Sequence, residues 1–117
     1  MIVIATDEPL RHLLESGALI TSTWPRAHED VFLLLKVLHF AFPSLSEAIG
    51  TGLVALLAAN LQTSEVTLST GAATVLAVAQ DQSGERVADP KGNAHMVTQL
   101  DIFNVAAEGR AVSKVAR

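Results

Sequence analysis

The sequence predicts an α+β fold, with N-terminal helices packed on a curved antiparallel sheet, and three observations carry that expectation. Apolar residues before about position 61 recur at helical spacing. After Glu65, short apolar runs alternate with turn residues at close intervals. Half of the 117 residues are hydrophobic and 17% are charged, which suits one packed domain over 1–117 and excludes a disordered chain.

The opening Met1-Ile2-Val3-Ile4-Ala5 lacks the basic start and long apolar segment of a signal peptide. Thr6-Asp7-Glu8-Pro9 reads as a helix start: Asp7 or Thr6 can accept from free backbone N–H groups, and proline is tolerated in a first turn. Leu10, Leu13 and Leu14 form the stripe of this helix, and Gly17 offers its stop. A second helix opens at Trp24-Pro25-Arg26 and runs through His28, Val31, Phe32, Leu35 and Leu38, with Glu29 and Asp30 near its positive end. Its last part, Val37-Leu38-His39-Phe40-Ala41-Phe42, fits a helix or a buried strand equally, and Pro43 breaks it. Ser44-Leu45-Ser46-Glu47 matches a capping box and opens a third helix over 46–61, presenting Ile49, Leu53, Leu56 and Leu57. Gly50 and Gly52 each cost such a helix about 1 kcal/mol relative to alanine, so a start at Thr51 is the alternative.

The second half reads as a meander. Val66-Thr67-Leu68-Ser69 is one strand and Ala73-Thr74-Val75-Leu76-Ala77-Val78-Ala79 the next, with Gly71 between them. Asp81-Gln82-Ser83-Gly84 is a turn, Glu85-Arg86-Val87 begins another strand, and Asp89-Pro90-Lys91-Gly92-Asn93 is a looser loop. A long strand over 94–106 turns at Glu108-Gly109 and pairs back through 110–116.

Several chemistries are excluded. Without cysteine there is no disulfide framework, thiolate metal site or cysteine nucleophile, and without tyrosine there is no phenol. The net charge of −4, with no run of Lys or Arg, gives no footprint for nucleic acid or an anionic membrane. The apolar stretch 31–42 falls short of the roughly 18 residues of a spanning helix, so a soluble, cytoplasmic protein is expected. His28 and His39 would lie about 16 Å apart on a continuous helix, too far to share an ion. Gly50-Thr51-Gly52-Leu53-Val54-Ala55 matches the dinucleotide fingerprint in letters, but it follows a proline and a cap rather than a strand, and no acid stands about 20 residues on. No serine lies in a Gly-x-Ser-x-Gly elbow. Neither cofactor nor metal is expected.

Asp101 is the candidate for chemistry. Period two places it on one face with Gln99 and Phe103, and a carboxyl desolvated there would be held as an acid able to donate a hydrogen bond. A solvent-facing aspartate on a sheet edge is the alternative.

Val97-Thr98-Gln99-Leu100-Asp101-Ile102-Phe103-Asn104-Val105 with Glu108-Gly109-Arg110-Ala111-Val112-Ser113 resembles the late hairpin of the ketosteroid isomerases. These and related polyketide-cyclase-type proteins share the nuclear-transport-factor-two-like cone, a cystatin-type roll. Pro43, Gly50-Thr51 and Ala58-Ala59-Asn60-Leu61 resemble the third-helix region of that family, so the likeness covers about 43–117. It implies a pocket for a hydrophobic, steroid- or polyketide-like ligand, with Asp101 as the catalytic acid and Phe42, Leu57, Phe103 and Val97 or Gln99 as ligand-binding residues. The family's base falls on Phe42, and its tyrosine has no counterpart. If the chain is an enzyme, the resemblance implies an isomerase or lyase with an incomplete catalytic set, using proton transfer for isomerisation, cyclisation or dehydration. The partners expected are the hydrophobic small molecule and a second copy in a homodimer. The other function class is a non-catalytic dimerising module whose exposed sheet face packs on a partner.

Overall fold

The computed structural model describes residues 1–111 and has the expected α+β architecture. Strand β1 (Ile2–Ile4) leads into helices α1 (Glu8–Glu15), α2 (Gly17–Thr23) and α3 (His28–Lys36). Asp7 caps α1, its carboxylate accepting from the N–H of Leu10 at 3.1 Å, as the start signal predicts. Gly17 does not stop a helix but begins one. The turn belongs to Ser16, which closes α1 and accepts through its hydroxyl from the N–H of Leu19 at 3.3 Å.

The ambiguous segment after α3 is helical. Val37–Ala41 forms a π-helical turn, and Phe42 is extended at φ −141°, the conformation a following proline imposes. The N-terminal amine of Met1 donates to the carbonyls of Phe42 and Leu38, tying β1 to this turn, and burial pushes that amine below its ordinary 8.0.

The helix expected over 46–61 is corrected. Helix α4 (Leu45–Gly50) is short, and 55–59 is strand β2 (Ala55–Ala59). Gly52, at φ +78°, leaves the helical region, while Thr51 donates from Oγ1 to the carbonyl of Ala48 at 2.8 Å and closes the helix end. The capping box is not made: Ser44 occupies the cap without a side-chain bond, and the N–H of Leu45 donates instead to the carbonyl of Val97 at 2.9 Å.

The sheet continues with β3 (Glu65–Thr70), β4 (Ala73–Gln80), β5 (Gln99–Ala107) and β6 (Arg110–Ala111). Its order is β1-β5-β4-β3-β2, with β6 on β5. Every pair is antiparallel except β1 with β5, which is parallel, so the sheet is mixed rather than purely antiparallel. The strand expected over 94–106 starts at Gln99, after a 3₁₀ turn at Ala94–Met96, and the one at Glu85 is reduced to a single bridge between Gln80 and Arg86. Glu108 and Gly109, at φ 55° and 73°, make the tight hairpin turn as read. The rest of the returning strand, 112–116, lies outside the described residues.

Alternation along β3 and β4 buries Val66, Leu68, Val75, Ala77 and Ala79 against Val31, Leu34 and Leu38 of the helical layer. Three carboxylates then tie loops across the fold. Asp101 accepts from Thr6, Glu108 from the N–H groups of Arg26 and Ala27 at the start of α3, both at 3.0 Å, and Asp30 from the N–H of Ala72 at 2.9 Å.

Candidate ligand groove

An amphipathic groove of about 960 Å³ lies among β1, α1, α2 and α3. That volume is near the top of the roughly 300–1,000 Å³ typical of small-molecule sites. Its main wall is one stripe of α3 and the π turn: Phe32, Leu35, Lys36, His39 and Phe40, spaced three and one as a helical face requires. The opposite stripe of the same helix, Val31, Leu34 and Leu38, is buried in the core. The helix therefore has two apolar faces, and the described residues cover only one of them.

Phe32 and Phe40 are 38% and 74% exposed, large apolar surfaces left to water beside a cavity. Phe32 stands edge-to-face with His28, centroids 6.2 Å apart, and its ring edge lies beside Gly17. His39 stands edge-on to Phe40 at 4.4 Å. Helix α1 adds Arg11, Leu14 and Glu15 at helical spacing, and α2 adds the buried Ile20. The backbone from Val3 to Thr6 completes the lining.

The residues expected from sequence are not gathered around this cavity. Asp101 is half-buried on β5 and is used as an acceptor: Thr6 donates to it from its backbone N–H at 3.0 Å and from Oγ1 at 2.7 Å. It adjoins the groove through Thr6, and through Ile4, its partner in the β1–β5 register, both of them lining residues. Phe42 packs against the core and Phe103 is buried at a β5 irregularity opposite Leu76/Ala77. Gln99 donates its side-chain amide to Gln80. Leu57 is 61% exposed on β2, at the far edge of the sheet from β1, because the helix expected to turn it inward is a strand.

Sequence reading missed Phe40, Lys36 and Arg11. The signal was present as a second stripe on the α3 segment, but a helix with apolar residues on both faces gives no preference for which one is covered. Gly50 and Gly52 end a helix and lead into a strand, the reverse of the order a dinucleotide loop needs. Among the described residues, no group of three or more His, Asp or Glu is placed to hold a metal ion, and no helix is long and apolar enough to cross a membrane. No protein-family model, no curated protein and no solved structure matches the chain.

Proposed function

We propose that the chain binds a hydrophobic small molecule in the groove between α1, α3 and β1. The observation that carries this is the pair Phe32 and Phe40, whose rings face solvent beside a cavity of ligand size. Covering them releases about 25 cal/mol per Å² of apolar surface, a gain the described residues leave unused. The π turn supports the reading, since such turns are rare and recur at functional sites. The ligand class agrees with that implied by the likeness to ketosteroid isomerases, a steroid- or polyketide-like molecule, while the site moves from Asp101 to the helical wall. The proposal is one of binding. Both Asp101 oxygens are occupied as acceptors, and neither a base nor a phenol stands at the positions where that family carries them.

Titration with the neutral fluorophore N-phenyl-1-naphthylamine tests it. Saturable enhancement of emission in the wild type, lost in Phe32→Ser/Phe40→Ser, is expected; enhancement that is absent, or unchanged in the variant, contradicts the reading.

A second reading, an interaction module that pairs with its own copy, is favoured by strand β2. This edge strand carries exposed Leu57, with Leu53 and Leu61 exposed at its flanks, and no charged residue stands between Glu47 and Glu65. Such an edge lacks the lysine or proline that ordinarily discourages strand pairing. Sedimentation decides it: a dimer dispersed by Leu57→Lys supports this reading, and a monomer at high concentration removes it.

A further inference from the structure

The charges of the groove narrow the ligand class, on the premise that the groove binds a hydrophobic molecule. The chain is acidic overall, at −4, yet the groove has the opposite balance, with Arg11 and Lys36 against the single carboxylate of Glu15. Arg11 is already engaged, donating to Glu8 at 2.9 Å one turn back on α1. Lys36 has no ion-pair partner among the described residues. Nor does it complete a free helix end, because the helical path runs on through the π turn.

Lys36 is flanked on its own stripe by Phe32 and Leu35 on one side and His39 and Phe40 on the other. An ammonium with three donors, set in a band of apolar surface, is matched by a molecule with an apolar body and a compact anionic end. A neutral hydrophobic ligand would cover the rings and leave the ammonium without a counter-charge, and a cationic one would be repelled. We infer that the groove takes a free amphiphilic carboxylate, its body along Phe32 and Phe40 and its head group on Lys36. The net negative charge of the chain opposes an anionic membrane surface, which favours the free amphiphile over a lipid headgroup.

Calorimetric titration of the wild type and of Lys36→Gln with dodecanoate, dodecanol and dodecyltrimethylammonium, each kept below its aggregation threshold at neutral pH, tests the inference. Lys36 is exposed, so the variant should fold, which circular dichroism verifies. Dodecanoate should bind about tenfold tighter than dodecanol, the worth of one charge-assisted contact, and Lys36→Gln should erase that preference. Equal binding of acid and alcohol, preference for the cation, or a preference that survives Lys36→Gln would overturn the inference while leaving the groove as a hydrophobic site. If none of the three probes binds saturably, the reading of the groove itself fails, and the inference with it.

Discussion

Asp101 and the groove stand on either side of Thr6 and use their polar groups in opposite ways. Asp101 accepts from two Thr6 donors and spends its chemistry on joining the β1–α1 turn to β5. Across Thr6, the groove holds an ammonium without an ion-pair partner among the described residues and two phenylalanines turned to solvent. A carboxylate on an apolar strand attracts notice in a sequence because burial of charge is costly. In the folded chain the cost is met by neighbouring donors, and the proposed binding surface lies instead where rings are left uncovered by the described residues.

This contrast can be broken first on α3 itself. Leu38→Ala, at a fully buried position behind the groove, should lower stability by about 2–5 kcal/mol in chemical denaturation. Phe40→Ala, on the exposed face, should shift stability by less than about 0.5 kcal/mol while weakening ligand binding. A comparable stability loss in both would mean that the two faces are not distinct. At the β3–β4 turn, Gly71→Ala should cost about 1–3 kcal/mol. Its φ is +56°, and an added Cβ would meet Asp30 at 2.7 Å, displacing the carboxylate that holds Ala72. Thermal melts that match the wild type would sink that account.

Asp101→Ala should be milder, about 1 kcal/mol, since it removes hydrogen bonds at a partly solvated site. Its decisive feature is that groove affinity should be unchanged; a variant that keeps its stability and loses the ligand would return Asp101 to the centre of the site. The smallest effect is expected at Asp81. The Ser83 hydroxyl, with the backbone N–H groups of Ser83 and Glu85, holds its carboxyl below the ordinary 3.8, against a weaker opposing effect of burial. A depressed folded value means that the contribution is present above 3.8 and is lost as pH falls through the lower folded value. Asp81→Ala should therefore lower stability slightly at neutral pH, and its difference from the wild type should shrink as pH falls below 3.8 and through the lower folded value.

Much of the fold was legible because it rests on local signals. Asp7 before Glu8-Pro9, Gly71 between two apolar runs and Glu108-Gly109 each specify a backbone conformation from a few adjacent residues, and each turn formed as read. The failures lie where tertiary pairing prevailed. Ala55-Leu56-Leu57-Ala58-Ala59 has the composition of a helix, but β3 offers a partner edge, and Gly52 breaks the chain out of α4 before them. Ile2-Val3-Ile4 is short and apolar with no turn partner nearby, so its parallel pairing with residues almost a full chain length away carried no local mark. The site failed for a related reason: Thr6 and Asp101 are 95 residues apart, and nothing near either announces the hydrogen bonds between them.

The central claim is that ligand binds along α1, α3 and β1 and leaves the Asp101 region untouched. Amide chemical-shift mapping during titration with N-phenyl-1-naphthylamine tests it directly. The account predicts saturable shifts concentrated at Ile4 to Thr6, Leu14, Glu15 and the roughly two turns from Phe32 to Phe40. Shifts centred on Gln99 to Asn104, or on the exposed edge of β2, would contradict it.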